Sequence, residues 1–245
     1  MIWVRPELDP LPMSHASYED PQAAAAFEAH AANSAYNAHY DRPAVLELVG
    51  AVQGLDVLDA ACGPGFYAAE LLARGGRVIG FDRSLAMLHL ARKRAGPTVP
   101  LLRCGLDTPF PFSDGAFDLI VCALAIHYVT DRSHALREMQ RVLRTDGALV
   151  LSTQHPTTDW IRKGGSYFDV KQETDIWNRD GEEWPMTFWR EPLSSLTEAA
   201  YRAGFVLERL IEPLPAASMR RVDPEEYAKL MERPGFLLLR LIKRP

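Results

Sequence analysis

An α/β architecture built on a largely parallel sheet is predicted by three features of the 245-residue chain. The first is Val57-Leu58-Asp59-Ala60-Ala61-Cys62-Gly63-Pro64-Gly65-Phe66-Tyr67, an apolar run that ends in an acid and passes through a small-residue turn into an apolar helical pattern. The second is another apolar run, Val78-Ile79-Gly80-Phe81, which also ends in an acid, Asp82. The third is the alternation of strand and helix signals from Asp56 to Thr153, the pattern of repeated βαβ units. Glycines in the loop let a ligand approach the backbone closely. Two acids at the ends of neighbouring strands, with such a loop between them, describe a site for a nucleoside-bearing cofactor.

Taken in order, the chain starts with helical signals. Pro21 to about Asn37 is alanine-rich, and Pro43 to Val52 carries apolar residues at helical spacing with proline in its first turn. Strand Asp56–Ala60 leads to helix Tyr67–Arg74, which Gly75-Gly76 ends. Strand Arg77–Phe81 leads to helix Ser84–Arg94, with Ser84 suited to the N-cap. Strand Val99–Cys104 and a proline-rich turn from Thr108 to Asp114 come next. Strand Phe117–Ala123 is almost wholly apolar, as expected of a parallel strand covered on both faces. Helix Ser133–Leu143 and the turn Thr145-Asp146-Gly147 bring the chain to strand Ala148–Thr153. After His155-Pro156 the periodicity is lost until about Glu191, and this stretch holds Trp160, Trp177, Trp184 and Trp189. Helix Ser194–Ala203, strand Phe205–Ile211 and a last strand, Phe236–Ile242, close the pattern. The link between those two strands is long enough to let them run antiparallel, which predicts one reversed strand at that edge of the sheet.

Composition narrows the function classes. With 47% hydrophobic and 24% charged residues the chain reads as an ordinary globular protein. It has no apolar run of the ~18 residues that a membrane-spanning helix needs. The start, Met1-Ile2-Trp3-Val4-Arg5-Pro6, lacks the features of a secretion signal, and prolines at 6, 10 and 12 predict a floppy or draped arm. A net charge of −5 speaks against a nucleic-acid partner. Cys62, Cys104 and Cys122 have no metal-ligand spacing, so a cytoplasmic protein with reduced thiols is expected.

Four segments, in order, resemble the class I S-adenosylmethionine-dependent methyltransferases. Asp59-Ala60-Ala61-Cys62-Gly63-Pro64-Gly65 is similar to the family's signature loop, and Asp82 to the acid ending its second strand. Pro109-Phe110-Pro111-Phe112-Ser113-Asp114-Gly115-Ala116-Phe117-Asp118 resembles the turn into the fourth strand, and Arg141-Val142-Leu143-Arg144-Thr145-Asp146-Gly147-Ala148-Leu149-Val150 the lead into the fifth. The resemblance implies a Rossmann-like, doubly wound, mostly parallel seven-stranded sheet with one antiparallel edge strand. It also implies S-adenosyl-L-methionine as cofactor. Gly63 and Gly65 would pack under the methionine part, Ala61 would belong to the same loop, and Asp59 would sit near the ammonium. Asp82 would accept both ribose hydroxyls, since a carboxylate offers two acceptor oxygens to a vicinal diol. Met87 would lie against adenine, Leu106 and Asp107 would meet the adenine edge, and backbone at Ala123 would face the amino group. Tyr36, or Arg42, would reach the carboxylate. Where relatives often carry an aspartate in the adenine turn, this chain has Gly105 and Leu106.

Gly63-x-Gly65-x-x-Ala68 also fits a dinucleotide fingerprint with Asp82 as the ribose acid, so an NAD-type oxidoreductase is the rival enzyme class. A catalytically silent cofactor-binding regulator is the second rival. The end of the fourth strand, Cys122-Ala123-Leu124-Ala125-Ile126-His127-Tyr128, lacks the Asn/Asp-Pro-Pro-aromatic cluster that grips a planar amino group, and no strand-end acids suit a metal-assisted reaction. The resemblance therefore points to the small-molecule, type 11 branch, with methyl transfer to an apolar or aromatic acceptor and no metal. His127 and His155, which follow the fourth and fifth strands, are the candidate bases. A single domain over 1–245 is expected, divided into an N-terminal arm and helical cap (1–42), a cofactor-binding core (43–155), a lid insertion (156–191) and the end of the core sheet (192–245). The aromatic side chains of the insertion are expected to wall the acceptor pocket. The oligomeric state is not written in the sequence.

Overall fold

A computed structural model describes residues 18–179 and 182–244, so the arm expected before Pro12 lies outside the described residues. Helix α1 spans Pro21–Asn33 and is capped by Asp20, whose carboxylate accepts the amides of Gln22 and Ala23. A single wide turn, Asn37–Asp41, runs straight into α2 (Arg42–Val49). The core alternates β1 (Asp56–Ala60), α3 (Phe66–Ala73), β2 (Arg77–Asp82), α4 (Leu85–Ala95), β3 (Leu101–Arg103), β4 (Phe117–Ala123), α5 (Arg132–Val142) and β5 (Leu143–Gln154). The insertion contributes α6 (Pro156–Lys163) and a hairpin of β6 (Lys171–Arg179) and β7 (Glu182–Arg190). The chain ends with α7 (Leu193–Arg202), β8 (Phe205–Ile211), α8 (Met219–Val222), α9 (Pro224–Glu232) and β9 (Phe236–Lys243).

Seven strands form one sheet in the order β3-β2-β1-β4-β5-β9-β8. The pairs from β3 to β5 are parallel, and β9 is antiparallel to both β5 and β8. The expected reversed strand is thus β9, seated one place in from the outermost strand, which β8 fills. The region read from sequence as a bare link between the last two strands holds α8 and α9. Strand β5 starts at Leu143 rather than Ala148, because the Thr145-Asp146-Gly147 turn is absorbed as an irregularity in its pairing with β4.

Both faces of the sheet are covered. Leu58, Ile120, Leu149 and Leu151 pack on one side with Leu136 and Met139 of α5 and Leu196 of α7. Their neighbours Val57, Val121 and Val150 pack on the other with Val45 of α2 and Leu71 of α3. Successive strand residues point to opposite faces, so a continuous apolar run is what a doubly covered sheet requires.

Two arginines fasten the turns that enter β4 and β5. Arg141 donates to the carbonyls of Phe110 and Phe112 and to Asp114 and Glu138. Its charge-assisted bonds hold the Glu138 carboxyl down at about 2. Arg144 pairs with Asp56 and Asp118 at the opposite end of the sheet from the cofactor loops. The acidic and basic residues of these segments thus hold turns in place.

Candidate functional site

A cavity opens at the C-terminal ends of β1, β2 and β4, the place where an open α/β sheet offers its loops to a ligand. Asp59, Ala61, Gly63, Asp82, Met87, Leu106, Asp107 and Ala123 all line it. The loop after β1 is a tight turn closed by Gly65 N–H donating to Cys62 O, 3.0 Å. Gly63 has φ +52, and a Cβ added there would meet nothing within 4 Å, so its bare face looks onto open space. Gly65 has a different task. A Cβ there would come 2.9 Å from both Cα and Cβ of Ala91, and φ is +79, so this glycine lets α4 close on the loop. It does not line the cavity, which corrects its expected place beneath the methionine part.

Asp82 is buried and ties two loops together. One oxygen accepts Gly63 N–H at 2.9 Å and the other Ser84 N–H at 2.9 Å. Burial raises its pKa while these two amides counteract the rise. Ser84 caps α4 through Met87 N–H and also donates its hydroxyl to the Tyr18 carbonyl. Asp59 is 1% exposed and less well supplied. Burial lifts its pKa to about 7, against the pull of the Ala68 amide and with a further push from Asp82. Its Oδ2 has no hydrogen-bond partner among the described residues. A buried carboxylate oxygen that faces a cavity and lacks a partner is a fitting seat for a ligand's ammonium group.

The N-terminal segment roofs the cavity, with Tyr18, Phe27, Ala31, Asn37, Asp41 and Arg42 on its walls. Tyr36 does not take part. Its hydroxyl donates to Glu226 at 2.6 Å, and its ring packs on Tyr40 and Phe236. Those contacts turn the Tyr36 side chain toward α9 and β9 rather than into the cavity. Arg42 donates to Ala31 O at 3.0 Å, and its guanidinium lies 4.0 Å from the Phe66 ring centroid. Arg94 lies 3.7 Å from the same ring and pairs with Glu28. Roof and glycine loop are therefore joined through Phe66. Asp41, 2% exposed, accepts the Tyr67 hydroxyl at 2.5 Å.

Neither histidine lines the cavity. His127 is 5% exposed, with Nδ1 3.1 Å from the Thr153 hydroxyl and its ring between Tyr128 and Phe188. Burial, helped by the charge of Arg132, pushes its pKa down to about 3, so it stays neutral and is a poor proton acceptor. His155 is the N-cap of α6, bonded to Thr157 and 2.9 Å from Glu212. A place after a strand end fixes where the backbone is and leaves open which way the imidazole turns.

The insertion is also corrected. No described residue of 156–191 lines the cavity. Phe188 is 1% exposed behind His127, Trp189 lies under Arg132, and Trp160, Tyr167 and Phe168 form an edge-to-face row. The apolar wall comes instead from Phe27, Leu124, Ala125, Tyr128 and Val129. Leu124, just past β4, holds φ +50 and donates its amide to Ser152 O at 3.0 Å, so strained backbone marks this end of the cavity.

A family model described as "Methyltransferase domain" matches residues 58–151. The malonyl-[acyl-carrier protein] O-methyltransferase of Legionella pneumophila is 38% identical over 106 residues, which are 42% of this chain and 37% of that protein, so the chain spans well under half of that relative. The ubiquinone/menaquinone biosynthesis C-methyltransferase UbiE of Hahella chejuensis is 30% identical over 170 residues, 62% of this chain and 68% of that one. A solved S-adenosylmethionine-dependent methyltransferase from Mesorhizobium loti superposes with a TM-score of 0.66 at 25% identity, over 87% of this chain and all of that one. With the glycine loop, the two strand-end aspartates and the strand order in agreement, the chain belongs to the class I S-adenosylmethionine-dependent methyltransferases, in the type 11 branch.

Proposed function

We propose that the protein transfers a methyl group from S-adenosylmethionine to a small, apolar or aromatic acceptor, by in-line displacement and without a metal. The observation that carries this reading is one cavity with two kinds of lining. Gly63, Asp59, Asp82 and Asp107 bring polar groups and bare backbone to it, while Phe27, Met87, Leu106, Leu124, Tyr128 and Val129 bring apolar surface. The residues present fit the cofactor: Gly63 leaves room against bare backbone, Asp82 keeps lone pairs for a ribose diol, and the unpartnered Asp59 oxygen suits an ammonium. When bound, the cofactor supplies a methyl carbon made electrophilic by its sulfonium.

The chain's own residues then position and exclude. Asp82 fixes the glycine loop from below, so the floor is set before a ligand arrives. The aromatic and aliphatic wall keeps water from the acceptor end. Such a wall favours flat, apolar molecules over sugars or nucleotides, and the quinone-pathway relative in Hahella chejuensis supports an aromatic acceptor. A cytoplasmic setting accords with the three free cysteines, and a partner that is not a nucleic acid accords with the net charge of −5. No helix among the described residues is long and apolar enough to cross a membrane.

Calorimetric titration with S-adenosylhomocysteine and, separately, with NADH tests the cofactor. Binding of the first and not the second is expected, and the reverse would return the chain to the oxidoreductase reading. Incubation with S-adenosylmethionine and a panel of phenols, quinols and carboxylic acids, read as a mass gain of one methylene (CH2), tests the reaction. Tight binding with no transfer to any panel member would favour a silent regulator.

A further inference from the structure

Four carboxylates line the cavity: Asp41, Asp59, Asp82 and Asp107. Asp59 and Asp82 stand at the ends of β1 and β2, and Asp107 in the turn after β3, the cofactor end. Among the described residues of the N-terminal segment Asp41 is the one carboxylate on the wall, and it stands over the tips of β4 and β5. The Ser152 side chain lies beside its carboxylate, and Ser152 is the β5 partner in register with Ala123, the last residue of β4. Leu124, with its strained backbone, is anchored to the same serine through both Ser152 O and Oγ. The apolar wall begins there.

We propose that Asp41, held by the Tyr67 hydroxyl, is the group that takes the proton from a hydroxyl or ammonium acceptor as methyl transfer proceeds. This rests on the methyltransferase reading above. The bond that forms joins the methyl carbon to the acceptor oxygen or nitrogen. The bond that breaks is carbon–sulfur, whose electron pair stays on sulfur. The acceptor's proton goes to the Asp41 carboxylate and from there to water.

The surroundings suit that task. Tyr67 of α3 donates at 2.5 Å, which orients one oxygen and stabilises the anion. Arg42, the next residue, adds a favourable charge, while Ser152 of β5 is the remaining polar neighbour and Tyr40 packs beside it from the wide turn. Burial outweighs these partners and lifts the carboxyl to about 6, close to the range in which a base works near neutral pH. Tyr67 itself is pushed upward by burial and by the charges of Asp41 and Asp59, and it remains a donor. With His127 neutral and walled off and His155 capping α6, no imidazole among the described residues lines the cavity.

Sinefungin, an analogue of S-adenosylhomocysteine with an amine-bearing carbon in place of sulfur, puts a positive charge where the methyl would be. Calorimetry with both ligands reads Asp41 without any acceptor. The wild-type protein is expected to prefer sinefungin at pH 8 and to lose that preference as pH falls through about 6. Asp41→Asn should weaken sinefungin about tenfold and leave S-adenosylhomocysteine within twofold, and Asp41→Glu should restore part of the difference. Tyr67→Phe, which removes the donor and keeps the ring, should move the pH midpoint upward, and it covers the case in which Asp41→Asn fails to fold. Equal loss of both ligands in Asp41→Asn, or loss of neither, would overturn the proposal. If the wild type binds neither ligand, the cofactor reading itself falls and takes the proposal with it.

Discussion

The ends of β1 and β2 bury polar side chains toward the cavity, whereas the insertion of residues 156–191 buries aromatic ones away from it. Asp82 is held by two backbone amides that leave it one direction to face. Phe188, of similar burial, is turned by the β6–β7 pairing toward His127, and Phe168 on the same unit is 76% exposed. In the first region the ligand surface is written into backbone hydrogen bonds. In the second, side-chain direction follows from how a two-stranded ribbon lies on the core. Aromatic content measures how much surface a segment has to place, and the pairing decides where it is placed.

That contrast can be broken by mutation, and the largest effect belongs to the insertion. Phe188→Ala should cost about 3–5 kcal/mol of stability, as for other fully buried phenylalanines, yet leave S-adenosylhomocysteine affinity of the folded protein within twofold. Chemical denaturation and calorimetry on one variant check both halves, and a large loss of affinity would make the insertion part of the site after all. Gly63→Val should weaken S-adenosylhomocysteine at least 100-fold while circular dichroism stays native, because a branched side chain would fill the open face and strain a backbone at φ +52. Affinity within threefold of wild type would show that this face is not a ligand surface.

Asp82→Ala should cost about 1.5–3 kcal/mol of binding, or ~10–100-fold. Its loss also releases Gly63 N–H, so Asp82→Asn, which retains an acceptor for one amide, should fall between the variant and wild type. The smallest effect separates Asp59 from Asp82 through pH. In the unfolded chain Asp59 ionises near 4, while in the folded, ligand-free protein it holds its proton to about 7. Between those values the unfolded state sheds the proton first, so rising pH erodes stability. Asp59→Asn removes that erosion. Its melting temperature relative to wild type should climb from pH 4.5 to pH 8, by the equivalent of about 1–3 kcal/mol. A difference that does not vary with pH would mean that Asp59 is ionised in the empty protein.

Much of the fold was legible because it rests on backbone constraints. Strands Asp56–Ala60, Phe117–Ala123 and Phe205–Ile211 have the boundaries their apolar runs announce, and the glycine loop needs left-handed backbone at Gly63 and Gly65. Asp59 and Asp82 followed from strand ends, while Met87, Leu106, Asp107 and Ala123 followed from the family resemblance, and all six line the cavity. Tyr36 and Arg42 were the readings for the N-terminal segment and Asp41 was not among them, since nothing in the sequence marks the wide turn Asn37–Asp41 that carries Asp41. The histidines failed for a related reason: burial behind Tyr128 and capping of α6 are tertiary facts. Hairpin β6–β7 escaped notice because its residues alternate weakly, and Gly65 was misassigned because only the approach of α4 reveals what its missing side chain makes room for.

The roof over the cavity precedes its floor in the chain, and this sets an order of assembly. Tyr18 is tied to Ser84, Glu19 to Arg103 and Glu28 to Arg94, partners some 66 to 84 residues downstream. Helix α1 itself buries little beyond three alanines. It can gain its anchors only when β2, α4 and β3 already stand, so it is synthesised early and docks late. Held by a few long-range ties over a small apolar face, it costs less to release than the strands of the core, and its amides should exchange with solvent sooner than theirs.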